Sequence, residues 1–214
     1  MARTILFCHP AYTDFFSVLL TLPKLEEDEN GQLGVHYGTA HTACAILAAN
    51  AFNGFFSIDR EGTERVDPEI NSVLTQDKYY FFVDGADDEH INYPVVPSFL
   101  DWEFPHDRIP TAWTQAVAYA HTSPKSPLCG LTQFSLPVET AYLVPYSQKE
   151  WFATNAMARY ATGIHGSIDD TCNHITLRKD LHFLFDQGHW CIAPKTISGI
   201  GNPGLYGFMV NLRR

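Results

Sequence analysis

The sequence predicts an α+β fold, and three observations carry that expectation. Short continuous apolar runs have the length of strands, an Ala-rich stretch has the length of a helix, and the last third reads β, α, loop, α, β, β. At 214 residues the chain is about one and a half typical domain lengths on the usual prior of roughly 100–200 residues each, which points to one domain with an elaborated extension.

Taken in order, residues 4–8 (Thr-Ile-Leu-Phe-Cys) read as a short buried strand. Residues 15–22 read as a helix stopped by Pro23, and residues 26–34, acidic and containing Gly31 and Gly34, as a surface loop. Residues 39–50 are rich in Ala and Leu and read as a buried helix that packs closely. The aromatic run Tyr79, Tyr80, Phe81, Phe82 with Val83 predicts a strand buried on both faces, followed by an acidic turn over residues 84–90. Pro94, Pro97, Pro105 and Pro110 keep the next stretch irregular, and the junction between extension and core is expected at residues 121–127. The expected division is therefore 1–125, an N-terminal extension packing on the core, and 126–214, the core, together one compact unit. Downstream, residues 141–145 read as a strand ending at Pro145. Residues 148–161 read as an amphipathic helix with Trp151, Phe152 and Met157 inward, and Asp169, Asp170 and Asn173 as a turn. Residues 178–187 form a further expected helix, stopped by Gly188, and residues 189–193 and 205–212 two strands.

Composition excludes several classes. With 45% hydrophobic and 18% charged residues the chain is neither disordered nor collagenous nor a coiled coil. Residues 1–148 hold seven Lys/Arg against 19 Asp/Glu, a balance of −12, and residues 149–214 hold seven against five, +2. Nucleic-acid binders neutralise several phosphates with clustered Lys/Arg, and this chain has no such excess, so a nucleic-acid partner is not expected. The five cysteines are widely spaced and form no CxxC pair, which fits free thiols in a reducing compartment. The N-terminal apolar stretch is broken at His9, Pro10 and Asp14, and no run approaches the ~20 apolar residues of a membrane helix, so a cytoplasmic protein is expected.

The last third carries an ordered set of motifs: Cys129-Gly-Leu-Thr132, Ala141 to Pro145, Glu150-Trp-Phe152, Asn155, Met157, Tyr160, Ile168-Asp-Asp170, Asn173, Leu177-Arg178, Asp180-Leu-His182, Phe185-Asp186 and Pro194-Lys195. Through these it resembles the HNH nuclease-like domain common in fungal proteins. Tyr37-Gly-Thr-Ala40, residues 43–54, residues 93–97 and Phe104-Pro-His106 look like the N-terminal part of the same proteins. The resemblance implies a ββα core presenting a general-base histidine, a structuring asparagine and a metal-binding histidine, because one metal must touch the scissile phosphate while an activated water attacks it. Carried over, the asparagine falls on Asn173 and the last histidine on His182, but the first histidine position is Tyr142. A phenol, with an ordinary pKa of about 10, is a poor base for water, whereas imidazole near ~6.5 is suited to it. The preceding position, a common metal-ligand position, is Ala141. One neutral imidazole does not hold Mg²⁺, so no metal and no cofactor is expected.

His182 and Asp186 are four residues apart and share a helix face, so the carboxylate can orient the imidazole. The candidate catalytic residues are Tyr142, His182, Asp186 and Asn173, and the candidate substrate-binding residues are Trp102, His106 and Trp151, aromatic groups suited to walling an apolar pocket. Each has a structural alternative: Tyr142 as a filler, Asn173 as a loop tie, the aromatics as core. His165, His174 and His189 extend the polar set. The resulting expectation is a scaffold recruited to cofactor-independent acid/base chemistry, a cyclase, isomerase or dehydratase acting on a small hydrophobic metabolite in fungal specialised metabolism. Its alternatives are a metal-dependent HNH endonuclease with a rearranged site, and a dead binding or scaffold module, a homodimer among the forms it could take.

Overall fold

Ile5, Phe7 and Cys8 of strand β1 (Thr4–Cys8) are almost wholly excluded from solvent, as the apolar run predicts. A computed structural model of the chain describes residues 4–68, 72–85, 92–110, 128–161, 166–195 and 204–208. The fold is α+β, and the chain divides into two compact units between Trp102 and Glu103. The junction expected at residues 121–127 and most of the acidic turn after Asp84 lie outside the described residues.

The first unit is built on a four-stranded sheet in the order β2-β1-β7-β5. β1 pairs antiparallel with β2 (Val18–Pro23) and parallel with β7 (Lys78–Phe82), which pairs antiparallel with β5 (Phe55–Ser57). A three-stranded sheet joins β3 (Glu26–Glu27), β4 (Leu33–His36) and β6 (Val73–Leu74). Helix α1 (Tyr37–Leu47) buries Ala40, Cys44 and Ala45, small residues that permit close packing, and its first turn is capped by the His36 ring, which accepts from the Thr39 N–H. Phe7, Phe56 and Phe81 meet at centroid distances of 5.2 and 5.5 Å in the core. Each such buried ring contributes at most about 1.5–3 kcal/mol.

Two expectations fail in this unit. The helix expected at residues 15–22 is a single 3₁₀ turn, Asp14–Ser17, followed by strand β2. Pairing of Leu22 with Ile5 and Leu20 with Phe7 outweighs the local preference, and Pro23 is tolerated because β2 is an edge strand. The loop expected at residues 26–34 is a hairpin, β3 to β4, whose turn is closed by Asp28 Oδ1 accepting the N–H groups of Asn30 and Gln32, with Gly31 at φ 76°.

The second unit holds two antiparallel pairs, β8 (Val138–Tyr142) with β9 (His174–Arg178) and β10 (Cys191–Lys195) with β11 (Gly204–Phe208), and helices α2 (Lys149–Thr154) and α3 (Lys179–Asp186). Residues 103–110 are held to it by Asn155, whose Oδ1 accepts the Phe104 N–H, and by His106. The expected strand at 141–145 lies three residues earlier, and the loop expected between the helices contains β9. The single helix expected over residues 148–161 ends at Thr154. Asn155 Nδ2 donates to the Trp151 carbonyl, Ala156 takes a left-handed φ of 47°, and the chain resumes as a 3₁₀ turn, Met157–Tyr160. Trp151 and Phe152 are buried as expected, while Met157 is half-buried. Among the described residues no helix is long and apolar enough to cross a membrane.

Candidate functional site

The β8–β9 ribbon followed by α3 forms a ββα unit, and strand alternation sorts its side chains. Ala141 opposes Ile175 and Glu139 opposes Leu177. Ala141 and Leu177 are fully buried with Cys129 and Trp190, and Leu181, Leu184 and Phe185 of α3 pack against them. That face of the ribbon therefore carries the helix. Tyr142, opposite His174, and Thr140, opposite Thr176, project from the other face. The Trp190 indole donates to the Leu181 carbonyl, tying α3 to the segment that follows it. At the start of α3, Arg178 holds the Asp180 carboxylate with two hydrogen bonds of 2.6 Å and pushes it down to about 2.

On the helix-facing side, His182 stands between two carboxylates. Nδ1 is 2.9 Å from Glu139 Oε1, and Nε2 is 3.4 Å from Asp186 Oδ2, one turn along α3. A neutral ring donates at one nitrogen only, and a ring carrying both protons donates at both. The expected His182–Asp186 pair is thus brought together, with Glu139 as a third member. Glu139 escaped the sequence reading, although its position two residues before Ala141 places it on the same strand face.

This arrangement does not fit a divalent metal. The two carboxylates reach opposite nitrogens of one ring, so their oxygens do not converge on a common point, and the buried Ala141 side chain offers no donor. Among the described residues no three His, Cys, Asp or Glu side chains are grouped to hold a metal ion.

Tyr142 belongs to a different set. Its hydroxyl donates to Asp169 Oδ1 at 2.8 Å, a bond that pushes the phenol above its ordinary range, and its ring meets that of His174 edge-on at 4.7 Å. His174 Nε2 is buried without a hydrogen-bond partner among the described protein groups. Tyr142 and His182 therefore lie on opposite sides of the ribbon, Tyr142 engaged by Asp169 and His182 by Glu139 and Asp186.

Asn173 is buried and satisfied by backbone. Its Oδ1 accepts the Val144 N–H, and its Nδ2 donates to the carbonyls of Val144 and Ile168. Asp170 caps the preceding turn by accepting the Cys172 N–H. Among the expected binding residues, Trp151 is a core residue at 3% exposure. His106 has both nitrogens occupied, Nε2 donating to the Asn155 carbonyl at 2.6 Å and Nδ1 facing the Tyr160 hydroxyl at 2.9 Å. Trp102 lies in the first unit, its indole donating to Asn50 Oδ1. His165 lies outside the described residues.

No curated protein and no solved structure matches the chain significantly. Residues 127–193 match the HNH endonuclease family model, and this stretch, which holds β8, β9, α3, Asn173 and His182, is an HNH-like domain.

Proposed function

We propose that this HNH-like domain does not cleave phosphodiesters but keeps His182 as a proton-carrying group for cofactor-independent chemistry on a small hydrophobic metabolite, of the cyclase, isomerase or dehydratase class. The observation that carries this reading is the placement of His182 between Glu139 and Asp186 on a face whose other strand residue is the buried Ala141. In the alignment implied by the family resemblance, Tyr142 stands at the general-base position and Ala141 at a ligand position. A phenol hydrogen-bonded to a carboxylate is held more firmly in its neutral form, so less phenolate is present to act on water near neutral pH. An imidazole flanked by two carboxylates can accept a proton at one nitrogen while the other is held in place, which is what proton transfer between two positions of one substrate needs. The acidic balance of residues 1–148 further disfavours a polyanionic substrate.

The test is plasmid nicking by the purified protein under Mg²⁺, Mn²⁺ and Zn²⁺ with a His182→Ala control, beside a thermal-shift screen of hydrophobic carbonyl and hydroxyl metabolites. No nicking, with a stabilising metabolite whose turnover is lost in His182→Asn, is the expected result. Metal-dependent nicking that requires His182 would overturn the proposal. In that case His174, whose buried Nε2 adjoins Tyr142, is the residue to examine as replacement base. Neither nicking nor turnover would leave a binding module.

A further inference from the structure

The first unit contains a fully buried histidine that the site above does not use. His9 follows β1, and both its ring nitrogens are committed: Nδ1 accepts the Ala11 N–H at 3.1 Å, and Nε2 lies 3.0 Å from the Tyr93 carbonyl. A carbonyl only accepts, so Nε2 carries the proton and Nδ1 is bare. The ring is therefore a neutral imidazole of one defined tautomer. It bridges two segments that are distant in sequence, the turn at residues 9–12 and the stretch at residues 92–98.

We propose that His9 is a proton-operated latch: the neutral ring holds the turn after β1 closed, and protonation at Nδ1 releases that turn while leaving the Tyr93 stretch attached. The asymmetry follows from the two bonds. A proton on Nδ1 points at the Ala11 N–H, turning an acceptor into a second donor, and that bond is lost. At Nε2 the same proton leaves a charge-assisted donor to the Tyr93 carbonyl, a stronger bond than before. The released turn carries Tyr12 and leads to Phe16, both exposed, and its remaining ties to the rest of the unit include Arg60, whose guanidinium donates to the Pro10 and Tyr12 carbonyls.

The groups around the ring are the Cys8 thiol of β1, the phenols of Tyr12 and Tyr93 at ring distances of 4.5 and 3.9 Å, the Cys44 thiol of α1 close to Cys8 and Tyr93, and the Arg60 guanidinium. The two neighbouring phenol rings favour a cation beside them and so lower the cost of protonation, whereas burial raises it and holds His9 below its ordinary range. The Tyr93 stretch has its own anchors, the Tyr93 hydroxyl on the Phe81 carbonyl and the Val96 N–H on the Leu47 carbonyl.

The experiment is amide hydrogen exchange on the full chain across pH, corrected for intrinsic rates, reading Ala11 and Val96. The opening constant at Ala11 should rise by up to about tenfold per pH unit as the pH falls below ~6.5, with Val96 unchanged. His9→Asn places an acceptor near Nδ1 that does not titrate, and it should keep Ala11 protected while abolishing the pH response. Ala11 protection that stays flat with pH, or that falls together with Val96, would overturn the latch. So would an unchanged pH response in His9→Asn.

Discussion

Asn173 grips Val144 from both sides, accepting its N–H at 2.7 Å and donating to its carbonyl at 3.0 Å, so that one side chain replaces a missing rung beyond the end of the β8–β9 ladder. Each polar atom of this buried amide is engaged by backbone, and the second Nδ2 proton goes to the Ile168 carbonyl. Asn173→Ala should destabilise the second unit by about 3 kcal/mol, since it strands buried N–H and C=O groups. Asn173→Asp should be no milder, because it keeps the acceptor but sets a carboxylate oxygen against two carbonyls. Thermal unfolding of both variants checks this, and a variant of unchanged stability with lost turnover would make Asn173 catalytic instead.

Tyr142 and Asp169 give a second prediction. The carboxylate accepts from the phenol and so favours its neutral form, which is why Tyr142 titrates above its ordinary range. Asp169→Asn should bring the Tyr142 titration back toward about 10, readable in the ultraviolet difference spectrum with Tyr142→Phe as the blank. Tyr142→His should not by itself yield metal-dependent nicking, because Ala141 still offers no ligand.

A third concerns acid sensitivity in the first unit. His41 Nε2 donates to the Gly54 carbonyl at 2.7 Å, and burial holds the ring below its ordinary pKa despite that bond. The unfolded chain then binds the proton more readily than the folded one. The contribution of neutral His41 is full above about pH 6.5 and is lost as the pH falls below it. Exchange protection of α1 should decline as the pH falls from about 6.5 to about 5, and His41→Gln should flatten the decline.

Gly34 supplies a fourth. A Cβ at this position of β4 would press into the Leu74 carbonyl oxygen and lie 2.7 Å from Val73 Cγ1. Backbone cannot yield there without breaking the pairing of Val35 with Leu74. Gly34→Ala should therefore cost more than the ordinary ±0.5 kcal/mol of a tolerated surface change, seen as a lowered denaturation midpoint of the first unit.

How far the sequence was legible depended on whether local pattern or distant pairing decided the outcome. β1, α1, β7 and α3 were readable because their apolar runs, Ala content and the Gly188 stop, at φ 67°, are local signals. Residues 18–23 were misread because Val-Leu-Leu-Thr-Leu suits helix and strand alike, and only the partner strand β1 chooses between them. β9 was missed although His174-Ile-Thr-Leu-Arg178 holds two β-branched residues, since it is short and becomes a strand by pairing with β8. At the site, His182 and Asp186 were legible from helical spacing. Glu139 was not, because it reaches them through a strand 43 positions away in the chain. The separation of Tyr142 from His182 by the ribbon follows from register, which motif matching does not consult.

The parallel pairing of β1 with β7 bears on how the protein is made. Leu6 and Phe7 meet Lys78 and Tyr79, so the second partner of the first strand is synthesised long after its first, β2. At about 5–20 residues per second the ribosome needs roughly 3–11 seconds to cover the stretch from Pro23 to Lys78. Throughout it the apolar edge carrying Ile5 and Phe7 has no β7 to close on, and the nascent chain presents an edge that other chains or a chaperone can occupy.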